Sequence, residues 1–441
     1  MIKTIFKQIW NQRRTNAWIF LELLIAGFFL WTVIDPVYVL TVRHLMPKGY
    51  EEEGRYILNV GAYMPGHAMR DTTITGDQIK EGYLRLARLV KDCPEVESIC
   101  IVNNASFPNA GSWNGNQLFP DTASVTADKY VPVQHYETFT DEGSDIFRTY
   151  GIKDVHTGKD LVLPEDAHAK VRCYLSEHLA LELFGTTNVV GRQVYDGQKN
   201  GFEVGGVFKN LKHRDFENYY NLSIKVSPTV WFWVSANLHL GNAIIFRLKE
   251  GVDFDAFNTR FKAEVTPHMQ TANFYFNGFQ PFKEARQANA EMRGVYNKLR
   301  LQYSLAAFAL LCIFLGMVGT FWVRCNARRQ EIGLMRSLGA SVGKVRFQFY
   351  GEAALLVSMA FVCILPALAH VAKVNGMYGG STISPNLVEN LITNWWTESI
   401  PHFFMVSLLT YLLLLAVAVI GTAIPVSRAA KVLPADALRD E

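Results

Sequence analysis

The chain lacks the features that mark most enzymes. Its six cysteines include no C-x-x-C pair, so neither a zinc ribbon nor a disulfide scaffold is indicated. No zincin, nucleophile-elbow or kinase pattern occurs. The nearest approach to a phosphate-binding loop is Gly339-Ala340-Ser341-Val342-Gly343-Lys344-Val345. It is one residue short between the glycines, and Val345 stands where a Mg²⁺-ligating hydroxyl belongs. His67, His135, His156, His168 and His178 are scattered without the fixed spacing of metal ligands. Charge of one sign is lacking too. Lys and Arg number 43 against 40 Asp and Glu, a net charge of +3 without the basic stripe of a nucleic-acid binder. No catalytic residue, metal, cofactor or nucleic-acid partner is expected.

What the chain has is long apolar runs. Over 441 residues the mean hydropathy is +0.07, concentrated in a few nearly uncharged stretches. A bilayer core takes roughly 20 apolar residues as a helix. Residues 17–40, 301–323, 353–372 and 403–424 meet that length. The first has a basic start at Arg13 and Arg14, as a signal peptide would. It is long for one, and Asp35-Pro36-Val37-Tyr38 is a poor cleavage context, so it reads as an uncleaved anchor.

Orientation follows from flanking charge. Lys3, Lys7, Arg13 and Arg14 precede the first run. Arg324, Arg328, Arg329, Arg336, Lys344 and Arg346 separate the second from the third, and Arg428, Lys431 and Arg439 follow the fourth. Both termini and residues 324–352 are therefore expected in the cytoplasm. Residues 41–300 and the loop 373–402 are expected outside, and the tail 425–441 inside. Ile2, Ile5, Phe6, Ile9 and Trp10 recur at helical spacing, which reads residues 1–16 as an amphipathic helix on the inner membrane surface.

The fold class expected is thus membrane α-helical, four transmembrane helices with a large α+β extracytoplasmic domain inserted between the first two. In that domain Tyr56–Tyr63 is strand-like, residues 75–93 have a helical period, and Val96–Val102 is strand-like again. The order returns near the end, with strands at Ala243–Leu248 and Asn273–Phe279 around a helical face of Phe254, Phe257, Phe261 and Val265. Two β-α-β units suggest a split ferredoxin-like arrangement, with residues 109–233 as an inserted second subdomain. From Glu284 to Arg300 helix formers run into the second apolar stretch. Continuous to Val323, that helix would have about 40 residues and a length of roughly 60 Å, a stalk outside the membrane. Gly294 weakens it by about 1 kcal/mol and is the place for a break.

Single residues also stand out. Glu22 and Asp35 are carboxylates inside an apolar run, candidates for function by default but near enough to an interface for a packing role. Cys312 and Cys363 read as packing residues. Cys93 and Cys100 face an oxidising compartment, and their pairing depends on whether the Cβ atoms converge; Cys173 would stay unpaired. The segment Arg328–Ser341, RRQEIGLMRSLGAS, is basic and helical, yet Ile332, Leu334, Met335 and Leu338 place apolar surface where water or headgroups are expected. A partner's groove or the membrane interface would bury it.

That segment, with Glu352 after it, resembles the R-x-E-I-G-x-x-R-A-x-G-A motif of MacB/FtsX-type ABC transporter permeases, Ser337 standing where the family often has Ala. The tail IPVSRAAKVLPADALRDE from Ile424 to Glu441 resembles that family's ending. In the outer domain SEHLALELFGTTNVVGRQV and FEVGGVFKN are similar to its periplasmic core pattern. The resemblance implies a permease dimer, homo- or heteromeric, in the cell inner membrane. It implies a separate ABC ATPase subunit that docks on the cytoplasmic loop at Arg328, Arg329, Glu331, Ile332, Gly333, Leu334, Arg336, Leu338 and Gly339. ATP-driven closure would be transmitted to the outer domains, most simply for efflux or export, with a periplasmic adaptor, an outer-membrane channel and membrane lipid as further partners. The alternatives are a lipoprotein-releasing permease and an FtsX-like signalling subunit controlling cell-wall hydrolases. The size of the outer domain favours the first reading.

Overall fold

A computed structural model describes residues 13–103, 115–230, 242–377 and 400–431. The amphipathic segment at 1–12, the loop at 378–399 and the end of the tail at 432–441 lie outside the described residues. The chain divides into two compact units, Arg43–Val295 and Met1–Val42 with Tyr296–Glu441.

Helix α1 spans Arg13–Leu45 and is long and apolar enough to cross a membrane. After it the extracytoplasmic unit opens with strand β1 (Arg55–Ala62), helix α2 (Gly76–Lys91) and strand β2 (Val96–Asn103). Helix α2 starts where a capping box sets it. The Gln78 amide donates to Thr75 Oγ1, and the Thr75 amide donates to Gln78 Oε1 at 2.8 Å. Its stripe of Ile79, Tyr83, Leu86, Ala87 and Val90 is buried.

Strand β3 (Gly115–Leu118), helix α3 (Thr122–Thr126), strand β4 (Val131–Phe139) and helix α4 (Ile146–Tyr150) follow. Then come strand β5 (Arg172–Ser176), helix α5 (Glu177–Phe184) and strands β6 (Gln193–Tyr195), β7 (Gly201–Phe208) and β8 (Leu222–Ser227). The unit closes with β9 (Asn242–Leu248), α6 (Phe254–Glu264), β10 (Phe274–Pro281) and α7 (Phe282–Met292). Strands β10, β1, β9 and β2 lie side by side, each antiparallel to its neighbour. Two split β-α-β units interleave in this way, as the repeated pattern predicts.

The inserted segment does not build a sheet of its own. Strand β4 pairs with β2 through Ile101↔Phe139, and β8, β5, β7 and β6 extend the same sheet to ten strands, with β3 beside β4. An unpaired β2 would expose a row of backbone donors and acceptors; joining the insertion to it removes that edge. Cys93 and Cys100 belong to different buried clusters and are both free thiols.

The stalk is not one helix. α7 stops at Met292 and a new helix, α8, begins at Val295 and runs to Ala327. Gly294 holds φ +69°, with its amide donating to Glu291 O at 2.8 Å, a left-handed helix ending that glycine adopts without strain. The weakness foreseen at Gly294 is a full break.

Helix α9 (Arg329–Ser337), helix α10 (Val342–Asn375) and helix α11 (Ile400–Ala429) complete the second unit. With α1, helices α8, α10 and α11 are the four of membrane-spanning length and composition. Leu30, Phe321, Phe349 and Leu368 are fully buried among these helices. Cys312 and Cys363, expected to pack, are exposed instead. A four-helix unit buries only part of each span, and the remaining apolar surface suits lipid.

Candidate coupling site

Helix α9 is a short amphipathic segment between two spans. It ends where Gly339 adopts φ +91° and Ala340 donates its amide to Met335 O at 3.0 Å, a left-handed cap. Ser341 then caps α10, accepting from the Lys344 amide at 3.2 Å. The glycine-rich stretch that superficially suggested phosphate binding is therefore a helix end followed by a helix start.

The nine residues expected to meet a partner divide between two faces. Ile332 and Gly333 are buried, Ile332 in the core shared with α10 and α11. Leu334 is 54% exposed and Leu338 79%. Glu331 and Gly339 are exposed, whereas Arg329 and Arg336 are half-buried. Arg336 reaches Ala340 O at 3.4 Å.

Arg328 points inward. Its Nη1 donates to Glu352 Oε1 at 2.8 Å, its Nε donates to Glu331 Oε2 at 2.8 Å, and its guanidinium lies 4.9 Å from the centre of the Phe349 ring. Arg324, one turn earlier, is 3.8 Å from Glu352 Oε2 and 5.2 Å from the Phe321 ring centre. Charge placement in the sequence marks Arg324 only as an inside-facing cation. Its burial depends on Glu352, which lies far along the chain.

At the other end of the spans, Asp35 on α1 pairs with His402 on α11 at 2.8 Å, and Trp31 Nε1 donates to Ser407 Oγ at 3.1 Å. Glu22 lies in an apolar groove between α1 and α8, lined by Trp18, Phe29, Phe308, Cys312 and Gly316.

The extracytoplasmic unit carries a second buried polar cluster, which the sequence does not announce. It gathers the two segments that continue into membrane helices, residues 43–52 and helix α7, around the loop 209–221. Asp215, 2% exposed at its side chain, accepts from Arg286 and meets His44 Nδ1 at 3.1 Å. Arg286 Nε donates to Glu52 Oε1 at 2.7 Å, and Glu52 also pairs with Lys48. Lys212 donates to Arg43 O and, at 2.9 Å, to Asp215 O; burial pushes its ammonium down to about 8. Beside it Arg214 pairs with Glu217, which accepts from Tyr220 OH at 2.7 Å. Among the described residues no group of three His, Cys, Asp or Glu side chains is placed to hold a metal.

Residues 303–434 match the model of the FtsX-like permease C-terminal family. No curated protein matches the chain. Among solved structures, the periplasmic region of MacB from Actinobacillus actinomycetemcomitans is similar at 14% identity, over 54% of this chain and 94% of that one, with a TM-score of 0.33. A domain of a permease protein from Porphyromonas gingivalis matches at 13% identity over 53% and 94%, TM-score 0.32. The extracellular domain of the ABC-type transporter YknZ from Gram-positive bacteria matches at 12% over 50% and 100%, TM-score 0.29. By that match, residues 303–434 carry the C-terminal domain of an FtsX-like permease.

Proposed function

We propose that the chain is the membrane subunit of an exporter driven by a separate ABC ATPase, working as a dimer in the inner membrane with both termini in the cytoplasm. The ATPase docks on α9, and its opening and closing pass along the spans to the extracytoplasmic domain, where cargo is handled. The observation that carries this is the division of α9. One face is fixed by Ile332 and the Arg328–Glu352 pair, while Leu334 and Leu338 stand exposed on the other. A helix anchored on one side and apolar on the other fits a partner's groove.

The test is co-purification of the ATPase with Leu334→Glu and Leu338→Glu. A buried leucine contact is worth about 1.5–3 kcal/mol, so binding should weaken by about tenfold or more. Unchanged recovery of the partner in both variants removes α9 as the docking site. The orientation is checked separately by labelling cysteines placed at Asn200 and Ser341 in intact cells. Only the first should react with an impermeant reagent, and labelling at Ser341 refutes the topology.

A further inference from the structure

The paired arginines below the Glu352 carboxylate are unequal. The helical run of α8 continues through Arg328, whose amide donates to Arg324 O at 3.0 Å, so the two side chains are one turn apart on the same side. Arg328 has two carboxylate partners, Glu352 and Glu331. Arg324 is 4% exposed, and none of its three guanidinium nitrogens makes a hydrogen bond. Its ion-pair partner is Glu352 at 3.8 Å, too far for a hydrogen bond. A buried donor without an acceptor is costly, and a guanidinium has five to satisfy. Such a group calls for a reason.

We infer that Arg324 is a second seat for the Glu352 carboxylate, so that Glu352 moves from Arg328 to Arg324 when α9 is displaced. The exchange needs a slide of α10 along α8 far shorter than the one-turn ratchet of about 5.4 Å known as a switching motion. Both positions are chemically balanced. In the first, Arg328 holds Glu352 and Glu331. In the second, Arg324 gains the hydrogen bonds it lacks, and Arg328 keeps Glu331, whose side chain is 62% exposed and free to follow. Arg324 is thus a positioning residue, acting through Glu352 on α10. The inference rests on α9 as the docking helix, but its first test needs no partner.

That test is a double-mutant cycle on the purified full chain in lipid nanodiscs, read by thermal unfolding. Arg324→Met should leave Tm unchanged or raised. Arg328→Met should lower it modestly, because Arg324 then takes the carboxylate. The double variant should lose more than the sum, because the buried Glu352 then loses both arginines at once. An additive result overturns the second seat. Should the double variant fail to fold, Glu352→Gln is added to it. Recovery shows that the stranded carboxylate was at fault, and continued failure overturns the inference. In the assembled transporter, Arg324→Met should keep ATPase binding and ATP hydrolysis while transport falls, and Arg324→Lys should restore part of it. Full transport by Arg324→Met overturns the handover. Loss of ATPase docking in the α9 leucine variants alone bears on the proposed function and leaves the cycle intact.

Discussion

The two units bury charge in opposite styles. In the extracytoplasmic unit Asp215 is met by His44 and Arg286, and Arg286 is met in turn by Glu52. Each cation in that set has a carboxylate or carbonyl in hydrogen-bond reach. At the α8–α9–α10 corner two arginines draw on Glu352, and the guanidinium of one of them, Arg324, makes no hydrogen bond. In the first set each cation is hydrogen-bonded, although Asp215 Oδ1 has no partner, and displacing a cation breaks a charge-assisted bond. Arg324 has no such side-chain bond to lose. On this contrast the cluster around Asp215 should resist displacement more than the corner beside α9.

The largest effect should come from breaking the ion-pair network around Asp215. Asp215→Asn leaves Arg286 and His44 without their shared carboxylate. Removing one member of a buried ion pair costs about 3–5 kcal/mol. Unfolding of the sheet followed by hydrogen exchange should report that loss, whereas Arg324→Met should leave stability unchanged. If the two variants destabilise equally, the distinction between the units is wrong.

Local signals made much of this architecture legible. The capping box of Thr75 and Gln78, the apolar period of α2 and the apolar run of β9 are all set by neighbours in sequence. The four spans follow from composition alone. What escaped depends on distant partners. Strand β2 carries no mark of its pairing with β4, so the insertion read as a separate subdomain rather than an extension of one sheet. Arg328 read as one docking residue among several, because its burial is decided by Glu352 and Phe349 on the next span. The His44–Asp215–Arg286 cluster was invisible for the same reason: its members are far apart in sequence and each alone resembles a surface charge.

The break before α8 offers an intermediate test. A Cβ built on Gly294 meets nothing within 4 Å, so Gly294→Ala is opposed only by the left-handed backbone. That costs about 1–2 kcal/mol, roughly what a continuous helix would relieve. The variant should favour joining α7 to α8, giving the amides from Val295 to Lys298 helical acceptors. Their hydrogen exchange should slow about tenfold. Unchanged exchange would mean that packing elsewhere enforces the break, and that it is a built hinge rather than a local preference of glycine.

The smallest expected effect on stability is the sharpest on function. Leu334→Ala removes exposed apolar surface and no described packing, since Leu334 is 54% exposed while Ile332, two residues earlier, is 1% exposed. Surface substitutions of this kind change stability by no more than about 0.5 kcal/mol. Tm should therefore stay within error of the parent chain. Affinity for the ATPase should nevertheless fall, because a leucine seated in a partner's groove loses its contact when truncated. A variant that melts earlier would place Leu334 in the helix unit's own packing, and the apolar face of α9 would then need no partner to explain it. Stable protein with reduced docking puts the same residue outside the fold and inside the interface, which is the division of α9 that the proposed coupling requires.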